Sequence, residues 1–225
     1  MYGKSTKTYR DIILEHNLEH SSKTNDTTQL VILNWMMDEL DKNKEEKYFL
    51  YDRCPWDNLA YTLHGNSVGL ISDETTAASI SFVKESMRQL DIIFWLPYSD
   101  KIKVVDDGLR DANVDYIKEV DKIFGDLYHQ YADNLEQGLF YPPDDCPAIV
   151  PIDENWLSVD DRIFFINQFI NNNGDLIDTE KEGGSILDPS SVELMETMVE
   201  EQIKLFEQDK EAIKIDSPTD NKIII

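Results

Sequence analysis

Three short apolar runs, each separated from the next by helical patterning, constrain this chain more than any other feature. They are Tyr48-Phe49-Leu50-Tyr51, Ile92-Ile93-Phe94-Trp95-Leu96 and Ala148-Ile149-Val150. Near-continuous apolar runs of this length fit parallel strands buried on both faces, where alternation with polar residues is lost. Parallel strands need long crossovers, and the intervening segments supply helices for them. Residues 26–41 place Leu30, Leu33, Met37 and Leu40 on one stripe, with Asp26 as the expected cap. Pro55 opens a helix over 55–63 that Gly65 and Gly69 are expected to break. Asp73 is expected to cap a helix running to residue 89, with Ala77, Ile80, Val83 and Met87 on its apolar face, and a long helix follows over about 114–137. Pro147 and Pro151 put the last run at a sheet edge or at strand ends. The pattern predicts a three-layer α/β fold with a parallel sheet.

In open α/β sheets, ligands bind at the carboxyl ends of strands. There the first run delivers Asp52 and Arg53. Asp52 is placed to orient Mg²⁺ or take a proton from an attacking hydroxyl, and Arg53 to hold a phosphate with its planar fork. The alternative is a buried Asp–Arg pair that ends a strand. The chain also opens on Gly3-Lys4-Ser5-Thr6, the closing half of the phosphate-binding pattern G-x-x-x-x-G-K-S/T. In the full pattern, backbone N–H groups surround the α/β-phosphates, Lys reaches the β/γ-phosphates and the hydroxyl holds Mg²⁺. The first glycine and the strand that leads into such a loop are expected upstream of Met1. Without them the chain is expected to bind ATP·Mg weakly or not at all.

The order Gly3-Lys4-Ser5-Thr6, then Asp52-Arg53-Cys54-Pro55-Trp56-Asp57-Asn58-Leu59-Ala60-Tyr61, then the 92–97 strand, then Asp106-Asp107-Gly108-Leu109-Arg110-Asp111 resembles the AAA-type P-loop ATPase/kinase family. Its members are common in bacteriophages and related to deoxynucleoside, thymidylate and ribosylnicotinamide kinases. The resemblance spans residues 1–172. It implies that Gly3, Lys4, Ser5 and Thr6 bind ATP, that Ser5 and Asp52 hold Mg²⁺, and that Asp52 and Arg53 serve the phosphoryl acceptor. It further implies that Arg110 is a lid arginine, and that Glu15 and Asp57 contact the acceptor. The implied activity is transfer of the ATP γ-phosphoryl to a small nucleoside or nucleotide; a non-catalytic binding relative and a plain ATPase are the alternatives. One departure is that the gap from Lys4 to Glu15 is too short for the helix and strand that the family places there. Either that first helix has shrunk or the tetrapeptide is a chance echo.

A formal net charge of −24 in 225 residues argues against duplex nucleic acid and anionic membranes as partners. A mononucleotide stays compatible, because a local cation cluster overrides the global field at short range. No run approaches the apolar length of a membrane span, and no charged-then-apolar leader is visible, so the expected location is the cytoplasm, in a phage-infected host if the resemblance extends to origin. The two cysteines, Cys54 and Cys146, have no metal-ligand spacing. His16 and His20 stand one helical turn apart, a metal pair only if one helix carries both. Beyond the domain at 1–172, Gly- and Asn-rich residues 173–187 read as a linker. Residues 188–225 read as an acidic amphipathic helix and tail that packs back or meets a protein partner through 190–206, with Val192, Met195, Val199 and Phe206 on its apolar side.

Overall fold

A computed structural model describes residues 2–102, 113–133, 141, 146–171 and 175–177. Its strands are short and pair in parallel: β1 (Gly3–Lys4) with β2 (Phe49–Leu50), and β3 (Ile92–Trp95) with β4 (Ala148–Pro151). In the first pair Gly3 stands opposite Phe49, and in the second Ile93 stands opposite Ile149. The backbone of the second pair is closed at its ends by Ala148 N–H to Asp91 O at 3.0 Å and Ile152 N–H to Trp95 O at 2.7 Å. Pro151 is the last residue of β4, one of the places expected for a residue without a backbone donor.

The crossover from β1 to β2 carries α1 (Tyr9–His16) and α2 (Asp26–Asn43). The cap of α2 is Asn25, whose side chain accepts from Thr28 N–H, one residue before the expected Asp26. Asp26 serves a tertiary contact, accepting from the Ser72 N–H at 2.9 Å and hydroxyl at 3.0 Å. Ser72 in turn caps α4 (Asp73–Ser86), so one carboxylate ties the starts of two helices together. The helix α3 (Pro55–Ser67) starts with proline in its first turn and runs through Gly65 without a break. That glycine makes room: a Cβ there would meet Ile71 Cδ1 at 2.5 Å. The expected break comes at Gly69, which has φ of +76°. Two further helices are α5 (Val114–Asp133) and α6 (Val159–Asn167). The sequence pattern did not suggest α6, although Ser158 and Asp161 form a capping box at its start.

The core lies where α3 packs between α2, α4 and α5. Its centre is Trp56, 1% exposed, whose indole N–H donates to the Tyr141 hydroxyl at 2.9 Å; that hydroxyl donates to Leu127 O at 2.8 Å. The Trp56 ring also meets Trp95 and Phe124, which joins the end of β2 to β3 and α5. Because Trp56 follows β2 by only a few residues, burying it fixes where the β2 carboxyl end points. Residues up to Asp175 form one compact unit, and Leu176 onward form a second. Arg110 and the expected 188–225 helix lie outside the described residues. Among the described residues no helix is long and apolar enough to cross a membrane.

Candidate active site

A cavity of about 320 Å³ opens at the carboxyl ends of β2 and β3, reached by Arg53 and Leu96. This is near the low end of the range for small-molecule sites. Tyr9 and Ile13 of α1, with His20 and Ser21 of the turn that follows, form one wall. Thr24, Thr28, Gln29, Ile32 and Met36 form the second, from α2 and the residue before its cap. Asp57, Asn58 and Tyr61 of α3 and Tyr116 and Ile117 of α5 complete it.

Arg53 has φ of +71°, left-handed backbone that costs a non-glycine residue about 1–3 kcal/mol. That turn brings its guanidinium over the Tyr9 ring at 4.4 Å and the Tyr61 ring at 5.4 Å. Its Nη1 donates to the Tyr61 hydroxyl at 3.2 Å and stands 3.7 Å from Asp57 Oδ1. Burial works against the charge, but Tyr61, Asp57 and Tyr9 outweigh it and hold Arg53 above the usual arginine range. The site therefore keeps a permanent cation, still about a quarter exposed. Asp57 has a second duty as the α3 capping carboxylate, accepting from Cys54 N–H at 3.0 Å. Burial pushes the neighbouring Cys54 thiol well up, which makes it a small inert residue.

The same cavity is lined by buried amides. Gln29 Nε2 donates to Thr24 Oγ1 at 2.6 Å, and Asn58 Nδ2 donates to Gln29 Oε1 at 2.9 Å and to Gln29 O at 3.1 Å. Thr24, Gln29 and Asn58 are all buried. The network sets which end of the Gln29 amide is donor and which acceptor, so an edge of defined hydrogen-bonding pattern stands in the cavity wall. Neither Gln29 nor Asn58 stood out in the sequence as a site residue. The available signal was a glutamine standing where the α2 stripe through Ile32, Leu33, Met36 and Leu40 would take an apolar residue.

Of the residues expected at the site, the structure brings Arg53 and Asp57 into the cavity. Asp52 is exposed and faces a separate crevice of about 10 Å³ with Ser5, Glu39 and Tyr51. Glu15 lies on the exposed face of α1 and pairs with Lys7 at 2.7 Å, away from the cavity walls. Gly3 and Lys4 belong to β1 where a loop was expected, and the Gly3 N–H is used by Tyr48 O at 2.9 Å. Ser5 Oγ donates to Glu39 Oε2 at 3.0 Å, and Thr6 is exposed. These residues do not surround a phosphate, and their geometry does not fit a triphosphate with Mg²⁺. Arg110 lies outside the described residues. Among the described residues no cluster of three or more His, Cys, Asp or Glu is placed to hold a metal ion. His16 ends α1 and Asn17 follows in left-handed backbone, so His16 and His20 do not share a helix.

No family model matches the sequence, and no curated protein matches it. Among solved structures, deoxyadenosine kinase from M. mycoides, with the products dCMP and a flexible dCDP bound, matches 74% of this chain and 84% of its own. The TM-score is 0.53 and the sequence identity 15%. At that identity the likeness is one of fold. The chain has a mixed α/β fold with parallel strands, similar to the fold of that deoxyadenosine kinase.

Proposed function

We propose that this chain is a nucleoside-kinase-like protein whose cavity receives a small nucleoside or nucleotide as phosphoryl acceptor. The observation that carries this reading is the polarity of the cavity, whose lining includes both the Gln29–Asn58 amides and the Arg53 cation. A nucleobase edge pairs with the Gln29 amide, and the aromatic rings of Tyr9, Tyr61 and Tyr116 supply apolar faces. Arg53 attracts the oxygen that is to be phosphorylated, or a phosphate it already carries. Arg110 is a lid arginine for transferring charge, whereas Asp52 borders the separate crevice beside Ser5 and does not face an acceptor in the cavity. The same proposal takes the two parallel strand pairs as parts of a three-layer fold, in line with the AAA-type resemblance of the 52–61 string.

A kinase of this fold takes its phosphoryl group from ATP with Mg²⁺. Residues 3–6 do not form a cradle for it. That observation favours a second reading, in which the chain binds a nucleoside without phosphorylating it.

The test is calorimetric titration of the full chain with nucleosides and their 5′-monophosphates, followed by a phosphoryl-transfer assay with labelled ATP and Mg²⁺. Binding that weakens at least tenfold in Gln29→Leu and in Arg53→Gln supports the acceptor site. Transfer to the bound nucleoside supports the kinase, and binding without transfer supports the second reading. Absence of binding by every nucleoside and monophosphate overturns both.

A further inference from the structure

We infer that Gly3-Lys4-Ser5 is a structural strand and latch in this chain, and that nucleotide phosphate does not bind there despite the match to a phosphate-loop ending. Four observations converge. First, the Gly3 amide donates to Tyr48 O at 2.9 Å, and Gly3 and Lys4 run parallel to Phe49 and Leu50. An amide spent in a ladder cannot also point at an anion.

Second, the glycine has a packing reason. A Cβ on Gly3 would stand 2.7 Å from Cδ2 and 3.0 Å from Cε2 of the Phe49 ring, and its φ is not positive. Gly3 is therefore small because an aromatic ring lies across it; no anion is needed to explain it.

Third, Ser5 is engaged by a carboxylate. Its hydroxyl donates to Glu39 Oε2, and Glu39 sits on α2, the helix that also carries Gln29. Glu39 and Asp52 both border the crevice beside Ser5, which places like charge where phosphate oxygens would have to sit. Fourth, the N-cap amide and hydroxyl of α1 already have a carboxylate partner. Asp11 Oδ2 accepts from Thr8 N–H at 2.7 Å and Thr8 Oγ1 at 2.9 Å, contacts that hold the Asp11 carboxyl below its usual range. The strand and the latch thus connect β2, which presents Arg53, with α2, which presents the amide wall.

This inference does not depend on a nucleoside occupying the cavity. The experiment measures the melting temperature of the full chain with and without Mg·ATP, for the natural sequence and for Lys4→Met, Gly3→Ala and the double variant Gly3→Ala with Phe49→Leu. The expected result is that Lys4→Met melts like the natural chain and responds identically to Mg·ATP, whether that response is zero or not. Gly3→Ala should melt roughly 4–8 °C lower, because an added methyl strains a packed contact, and the smaller leucine should restore part of the loss. Should Gly3→Ala fail to fold, recovery of folding in the double variant reads the same packing. A stabilisation by Mg·ATP that Lys4→Met abolishes would overturn the inference, as would a Gly3→Ala chain that melts unchanged. Loss of nucleoside binding alone would refute only the acceptor site.

Discussion

Replacing Asn58 with alanine tests the cavity wall most directly. Asn58 is 3% exposed and gives both its amide hydrogens to Gln29, at 2.9 Å to Oε1 and 3.1 Å to the backbone carbonyl. The carbonyl belongs to a helix and keeps its helical donor. Oε1 retains only a long contact of 3.5 Å from the Thr62 hydroxyl. Leaving one buried acceptor unsatisfied costs about 1–3 kcal/mol, and losing the second bond and some packing brings the total to roughly 2–4 kcal/mol. In a domain of this size each kcal/mol moves the midpoint by about 2–4 °C, so the melting temperature should fall by roughly 5–15 °C. Scanning calorimetry measures the shift, and the summed fluorescence of the four tryptophans, the buried Trp56 among them, reports whether the loss is global. Asn58→Asp sharpens the test. A buried aspartate has its carboxyl pushed up, so at neutral pH it presents an unpaired charge to Gln29 Oε1, while at acid pH its protonated form can donate again. Its deficit against the natural chain should shrink as the pH falls. Nucleoside affinity should fall at least tenfold in the alanine variant, since Gln29 is no longer oriented. If Asn58→Ala melts within about 2 °C of the natural chain, the amide network does not hold this wall and the reasoning fails.

Arg53→Lys keeps the charge but loses the planar stack on Tyr9 and Tyr61, and should weaken binding of a nucleotide or nucleoside about tenfold; unchanged affinity in calorimetry would remove Arg53 from the site. Asp26 has a carboxyl held below its usual range, chiefly by the Ser72 N–H. The folded value is the lower one, so its stabilisation is present above the unfolded value near 3.8 and is lost as pH falls through the folded value. Urea midpoints of the natural chain and Asp26→Ala should differ at pH 7 and converge in strong acid; a constant difference would show that the carboxylate charge is irrelevant. A chain ending at Asp175 keeps the carboxylate that accepts from Lys47 Nζ at 2.8 Å and Tyr48 OH at 3.0 Å, and should unfold in one cooperative transition by calorimetry. A broad or missing transition would show that later residues belong to the same folding unit.

The strands that were legible in the sequence are those with an apolar run. Phe49–Leu50, Ile92–Trp95 and Ala148–Pro151 fall inside the expected runs, although only Ile93 and Ile149 among them are buried and Leu50 is exposed, in two separate two-stranded sheets. β1 was not legible, since Gly3 and Lys4 have no strand propensity. They are extended because Tyr48 O takes the Gly3 amide and the Phe49 ring occupies the space of a side chain, a long-range cause that residues 1–6 do not encode. The shifted caps have a similar origin. Local preference allows either Asn25 or Asp26 to cap α2, and the contact of Asp26 with Ser72, forty-six positions away, settles the choice. Gly65 misled for the opposite reason: a residue that ordinarily interrupts a helix is kept inside one because Ile71 needs its volume.

At the site, sequence order favoured what lies at a strand end and missed what lies inside a helix stripe. Arg53 follows β2, and the strand-end rule alone points to it. Its reach into the cavity depends on a positive φ, and that turn sends Asp52 and Arg53 in different directions. Both neighbours border the crevice beside Ser5, and of the two only Arg53 also borders the cavity. Gln29 was hidden because apolar periodicity tolerates one polar member. The buried face of α2 continues through Thr28 and Gln29 to Ile32, Met36 and Leu40, and only the partner atoms on Thr24 and Asn58 make the glutamine affordable there. A buried polar group bonded to protein partners is a structural solution by itself. It becomes a recognition element because the same network borders a cavity that a cation also lines, so any ligand that enters meets a fixed amide edge and a fixed charge together.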